Sequence, residues 1–298
     1  MSGRRLLISY AHPDDESFGL GGLIAKYVAE GVDVYLICAT NGDVGTVSPE
    51  LLNGYETIAE LRLSELRCAS ELLGFKQVFE FGYRDSGMMN CDDNNHESCL
   101  WKAPQEDVTR RVVDVIREVQ PQVVITFNKY GGYGHPDHIA IQRATTEAFT
   151  LAGNASYVTS QRPYKPQKLY YSGISINMVR LWVGLTHFRG QDPRRLGNNK
   201  DINIQAILDN VEPIHARVSI KGYYDKWQQA NACHKSQGGG GGGMMRNIPK
   251  FLRPTLASNQ GFTRVFPTPT QNRIDEYDLF AGVTAAEISS TPERELMR

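Results

Sequence analysis

Apolar and polar positions fall in regular blocks along the first half of the chain. Leu6-Leu7-Ile8-Ser9-Tyr10 is an apolar run and predicts a buried strand over 5–11. Leu23-Ile24-Ala25-Lys26-Tyr27-Val28 has helical spacing and predicts a helix over 19–30, ended by Gly31. Val32 to Thr40 is β-branched and apolar, a second strand. A polar connection carrying Asn41-Gly42-Asp43, Gly45 and Pro49 leads to a helix over 55–74, where Ile58, Leu61, Leu66, Ala69 and Leu73 form an apolar stripe. Val78-Phe79-Glu80-Phe81 is a short third strand. A helix near 105–119, a strand over 122–127 and a helix after His138 complete the series. This β-α repetition predicts an α/β fold, a Rossmann-like parallel sheet flanked by helices and joined by right-handed crossovers.

The second half is less regular. Lys168-Leu169-Tyr170-Tyr171 predicts a strand, 187–201 a polar surface segment with Arg189, Arg194 and Arg195, and 213–234 a helix through Ile214, Val218, Tyr224 and Trp227. The glycines at 238–243 predict a flexible loop, since they have no side chains to pack, and their position after His234 would suit a lid over a site. The stretch 86–104 reads as a solvated loop. Its acids and His96 raise the idea of a second metal site, but no strand or helix is there to hold them.

Two loops carry candidate chemistry. The first strand runs into Ala11-His12-Pro13-Asp14-Asp15-Glu16, and the strand Val123–Phe127 runs into Asn128-Lys129-Tyr130-Gly131-Gly132-Tyr133-Gly134-His135-Pro136-Asp137-His138. Ligands in open α/β sheets bind outside the carboxyl ends of the strands, where both loops lie. His12 and Asp15, three apart, can point the same way. Alone, the first loop reads equally as a helix cap. With one of His135 or His138 it supplies a three-ligand N/N/O set, the number that catalytic zinc uses while keeping one position open. Asp14 points elsewhere and stays free for another role. The Gly-x-Gly-x-x-Gly fingerprint is missing after the first strand, which argues against a dinucleotide site.

Together these two loops resemble the PIG-L/LmbE-like family of zinc-dependent N-acetylglucosaminyl deacetylases. Arg62-Leu63-Ser64-Glu65, Ala69 and Leu73-Gly74 are similar to the family's second helix. Arg84-Asp85-Ser86-Gly87-Met88, Gly131-Gly132-Tyr133-Gly134 and His234-Lys235-Ser236-Gln237 resemble the branch that acts on glucosaminyl-inositol in mycothiol synthesis and the related mycothiol conjugate amidase. Glu276-Tyr277-Asp278-Leu279-Phe280-Ala281-Gly282 is similar to the acidic-aromatic endings of the family. The resemblance implies Zn²⁺, or Fe²⁺ in the same site, held by His12, Asp15 and His138; His138 is preferred over His135 by the resemblance alone. It implies that Asp14 is the general base, that Tyr133 stabilises the oxyanion, and that His135 supplies a proton to the leaving amine or stabilises charge. Arg62 and Asp85 would line the sugar pocket, with structural salt bridges as their alternative. His234 is a further substrate contact, or else a helix C-terminal cap. On this reading residues 1–160 form the Rossmann-like metal-binding catalytic core, and 161–298 complete the same domain.

Composition narrows the function. The chain has 298 residues and a net charge of −1, so nothing in it draws nucleic acid or anionic membrane. The sequence has neither a signal-peptide pattern after Met1 nor a run of about 20 apolar residues. Its five cysteines match no zinc framework and read as reduced thiols, with a Cys91–Cys99 pair as the lesser alternative. These features predict a soluble cytoplasmic protein, and the family resemblance implies an enzyme whose partner is a small amino-sugar substrate; a homo-oligomer is compatible. The leading function is metal-dependent removal of an N-acetyl group from an N-acetylglucosaminyl compound. A mycothiol-conjugate-type amidase or a deacylase of a glycosylated natural product uses the same site. A sugar- or nucleotide-binding protein holding Mg²⁺ is disfavoured by the two histidine loops, since Mg²⁺ prefers oxygen ligands.

Overall fold

A computed structural model describes residues 3–196, 202–239 and 253–284. In chain order the elements are β1 (Arg5–Tyr10), α1 (Asp15–Ala29), β2 (Asp33–Thr40), α2 (Ile58–Leu73), β3 (Gln77–Tyr83), α3 (Gln105–Val119), β4 (Val123–Thr126), a single turn α4 (Gly131–Gly134) and α5 (Pro136–Leu151). They continue as β5 (Lys168–Gly173), α6 (Ile176–Phe188), α7 (Ile204–Asp209), β6 (Ala216–Ser219), α8 (Tyr224–Asn231), α9 (Arg253–Leu256) and β7 (Asn259–Phe266). The strands form one seven-stranded sheet in the order β3-β2-β1-β4-β5-β7-β6.

The sheet is mixed. Its pairings are parallel from β3 across to β5, and β7 runs antiparallel to both β5 and β6. Leu6, Leu7, Ile8, Val123, Val124 and Ile125 are wholly buried, as strands covered on both faces require. The chain lays β2 and β3 on one side of β1, then returns to place β4 on the other. The order therefore reverses between β1 and β4, and the crevice outside their carboxyl ends receives both histidine loops. Local signals set the helix ends. Thr57 Oγ1 accepts from the Glu60 N–H at 3.1 Å at the start of α2, and Gly74 closes it with a left-handed φ of 84°.

Two expectations are corrected. Residues 213–234 are not one helix. Ala216 and Val218 are buried while Arg217 and Ser219 are exposed, an alternation of period two that makes β6, and only 224–231 turn into helix α8. The polar segment at 187–201 begins inside α6, continues as exposed turns to 196, and has 197–201 outside the described residues. The glycines 240–243 also lie outside the described residues, and with them most of the expected lid. Among the described residues no helix is long and apolar enough to cross a membrane.

The second correction concerns the thiols. Cys68 on α2 and Cys233 just after α8 form a disulfide between residues 165 positions apart, with a Cα–Cα distance of 5.8 Å. Cys38, Cys91 and Cys99 are free, so the Cys91–Cys99 alternative does not form either. Spacing carried no sign of the bond because packing of α8 against α2 creates the proximity. A cross-link closing so long a loop restricts the unfolded chain strongly. The double variant Cys68→Ser/Cys233→Ser is expected to lose about 2–5 kcal/mol of unfolding free energy. Urea denaturation checks this, and an unchanged midpoint would mean that the bond adds nothing to stability.

Candidate active site

The loop after β4 places its histidines by capping α5. His135 occupies the N-cap and its Nδ1 accepts from the Asp137 N–H at 3.2 Å, with Pro136 next at the first helical position. The cap fixes the His135 tautomer: Nδ1 is the acceptor, so the ring proton is on Nε2. His138 follows in the first turn of α5, where its Nδ1 lies 3.0 Å from the Gly131 carbonyl oxygen. A carbonyl only accepts, so Nδ1 is the donor and Nε2 is left with a free lone pair. Gly131 permits this contact. Its φ is +66°, and a Cβ there would lie 2.9 Å from the Cβ of His138.

His12, from the loop after β1, is arranged in the same manner. Its Nε2 is 3.2 Å from Asp137 Oδ2, and its Nδ1 faces His138 Nε2 at 3.0 Å. Asp15, at the start of α1, accepts from the His12 N–H through Oδ2 at 2.7 Å; that oxygen lies 3.5 Å from His12 Nδ1, while Oδ1 lies 3.4 Å from His138 Nε2. Two imidazole lone pairs and a carboxylate thus face one another. Both histidines spend their ring N–H on an acceptor behind them, as metal ligands commonly do. Acceptors repel one another unless a cation lies among them, so this donor set fits a divalent metal ion. The charges agree with that. Burial opposes a charge on His12, but Asp85, Asp137 and Asp15 outweigh it and push its pKa well above the usual histidine range. Burial also opposes charge on Asp15, yet His138 and His12 hold its carboxyl well below the usual range. His135 comes within 4.8 Å of His12 and His138 as well, but its Nδ1 is already taken by the helix cap.

His12 and His135 open onto a cavity of about 320 Å³, lined also by Asp14, Arg62, Asp85 and Tyr133 among others. Asp14 has a φ of 147°, a conformation L-residues rarely adopt, worth about 1–3 kcal/mol of strain. Burial raises its carboxyl to about 7, against the opposing pull of Arg62, whose Nη2 lies 3.1 Å from Asp14 Oδ2. The Arg62 guanidinium is itself buried and also donates to the carbonyls of Pro13 at 2.8 Å and Gly42 at 3.0 Å. Asp85 accepts from the Gly87 N–H at 2.8 Å and lies 3.6 Å from His12 Nε2. Burial and the neighbouring His12 and His138 lower His135 to about 3, so its imidazole is neutral. Burial raises the Tyr133 hydroxyl above its usual range and keeps it a proton donor.

The cavity gathers eight of the nine residues singled out in the sequence, six of them on its lining and Asp15 and His138 directly behind. His234 stands apart. It is wholly buried, its Nε2 lies 2.8 Å from Glu16 Oε1, and Gln237 three residues later lines the cavity in its place. Sequence reading also missed Asp137, wholly buried, which takes the Ser86 N–H at 2.8 Å, the Ser86 hydroxyl and His12 on one carboxylate. Its place between the two histidines of the second loop was the signal that could have exposed it. The stretch 86–104 is not simply solvated. Gly87, Met88, Cys91 and Asp93 form one wall of the cavity, and no metal-compatible cluster among the described residues includes His96.

Comparison with known proteins fits this geometry. A family model described as PIG-L, GlcNAc-PI de-N-acetylase, matches residues 7–149, a span that contains both histidine loops. A 1D-myo-inositol 2-acetamido-2-deoxy-alpha-D-glucopyranoside deacetylase of Streptomyces griseus is 31% identical over 297 residues, covering 96% of this chain and 91% of that protein. The protein of the same name from Thermomonospora curvata is 40% identical over 176 residues, or 56% of this chain; the match spans 59% of that relative's length. The structure of N,N'-diacetylchitobiose deacetylase from Pyrococcus horikoshii superposes with a TM-score of 0.60 at 20% identity, over 88% of this chain and 84% of that one, and shares the fold. With two histidine loops on one crevice, the family model over residues 7–149 and a relative 31% identical over 91% of its own length, this chain belongs to the PIG-L family.

Proposed function

We propose that this chain is a metal-dependent N-deacetylase acting on an N-acetylglucosaminyl compound. The observation that carries the reading is the convergence of His12 Nδ1, His138 Nε2 and the Asp15 carboxylate beneath a cavity that also exposes Asp14, Tyr133 and His135. His12, Asp15 and His138 would hold the metal, Zn²⁺ in the first instance and Fe²⁺ as a substitute. A divalent cation in this position polarises the amide carbonyl and makes water acidic enough to attack near neutral pH.

The remaining work falls to the side chains. Asp14, free of the triad, takes the proton from the attacking water; a base whose pKa lies near 7 is well matched to that step. The Tyr133 hydroxyl donates to the oxygen on which negative charge develops. His135 keeps its N–H on Nε2, directed to the cavity rather than to its own helix, and donates to developing charge or to the departing nitrogen. The carbon–nitrogen bond breaks as that nitrogen gains a proton, leaving acetate and a free amino sugar. Arg62 and Asp85 stand on the cavity wall where hydroxyls of a sugar would be recognised. The curated relatives act, by their names, on an acetamido-glucopyranoside of myo-inositol, which makes a glucosaminyl-inositol the first substrate to try.

The reading is tested by primary-amine release from a panel of N-acetylglucosaminyl compounds, with chelator and with zinc restored. Release that chelator abolishes and zinc restores is expected. Zinc-loaded protein that releases nothing from any member would overturn the substrate class and favour a thiol-conjugate amide or a glycosylated natural product. Asp14→Asn is expected to lower kcat by about 10²–10⁴-fold with the metal still bound; retention of most activity would remove Asp14 as the base. Gly131→Ala, which crowds His138 and disturbs the carbonyl behind it, is expected to weaken metal affinity by about 10–100-fold. Metal titration measures this, and an unaltered affinity would mean that His138 does not depend on that carbonyl.

A further inference from the structure

A buried hydrogen-bonded pair lies behind Asp14 that the chemistry above does not use. Glu16 and His234 are both wholly buried, and His234 Nε2 is 2.8 Å from Glu16 Oε1 across 218 residues of sequence. The other carboxylate oxygen, Glu16 Oε2, accepts from the backbone N–H of Asp14 at 3.1 Å. Asp14 is the residue with the rare φ of 147°. Rotation about its N–Cα bond determines where its carboxylate points, and the Glu16 contact fixes one side of that bond. Ser17 Oγ completes the arrangement with a 2.5 Å contact to Glu16 Oε1. His234 is fixed from both sides: Cys233 is bonded to Cys68, and Ser236 gives its N–H and hydroxyl to Glu65 at 2.8 and 2.6 Å.

A buried hydrogen bond adds little net stability, because it replaces bonds to water. It is a strong constraint on geometry, because each buried polar group must keep its partner. We propose that His234, through Glu16, is a positioning residue that holds Asp14 in its strained conformation and so aims the base at the reacting water. The proposal rests on Asp14 being the base. Without His234 the buried Glu16 carboxyl loses its ring N–H donor, and it must rearrange. The Asp14 N–H then loses its acceptor, φ relaxes towards common values, and the carboxylate swings off its line. His234 lies outside the cavity lining, so this effect falls on turnover and leaves substrate binding alone.

The test uses the full-length, metal-loaded chain and separates kcat from KM. His234→Gln is expected to lower kcat by about 10–100-fold, the scale of a roughly 1 Å misplacement, with KM within about twofold of wild type and metal content unchanged. Glu16→Gln keeps an oxygen for the Asp14 N–H and is expected to retain several times the activity of Glu16→Ala; this pair gives the answer if His234→Gln does not fold. In an Asp14→Asn background, His234→Gln is expected to cost nothing further, because its effect passes through Asp14. A raised KM with unchanged kcat would overturn the proposal and make His234 a substrate contact. An equal further loss in the Asp14→Asn background would overturn it too. High activity of Asp14→Asn alone would instead remove the base assignment, so the two failures are told apart.

Discussion

Everything at the crevice depends on three acceptors being forced to face one another. His12 Nδ1 and His138 Nε2 stand 3.0 Å apart with the Asp15 carboxylate beside them. Left alone, rings turn so that an N–H meets an acceptor. Here each ring is prevented from doing so because its N–H is already committed, on one side to Asp137 and on the other to the Gly131 carbonyl. Such an arrangement calls for positive charge: Asp85, Asp137 and Asp15 favour a proton on His12, and a divalent ion would take its place.

Most of this was legible in the sequence because its signals are local. The strand over 5–11 and the helix over 105–119 were readable from period and turn residues, and α3 was found with the expected ends. The His-Pro-Asp spacing is local in the same sense. In the second loop it is a helix N-terminus, with His135 at the cap, Pro136 at the first position and His138 one turn on. That geometry separates the two histidines, which spacing alone left open. One faces the cluster and the other caps the helix with its proton kept for the cavity.

The misses share one cause: each depended on a partner far along the chain. Ile214, Val218 and Trp227 fit a helical stripe as well as they fit a strand followed by a helix. Only pairing of β6 with β7, itself unmarked in the sequence, decides between them. Polar composition made 86–104 look solvated, yet the Asp137 carboxylate binds Ser86 and turns the following residues into a cavity wall. His234 carried a motif that suggested contact with substrate, and only the fold reveals Glu16 on its ring nitrogen. The Cys68–Cys233 bond was illegible for the same reason.

Helix α2 connects these distant parts. Arg62, Glu65 and Cys68 recur every three residues and therefore share one face. The first reaches Pro13 and Asp14 in the β1 loop, the second holds Ser236, and the third is bonded to Cys233. One helical face thus clamps the loop bearing Asp14 to the segment bearing His234 and Gln237. The proposed metal ligands His12 and Asp15 lie on that same β1 loop, on either side of Asp14, and His138 meets them from the start of α5. A change in the segment at 233–237 therefore reaches the cavity rim through Gln237 and the base through His234 and Glu16.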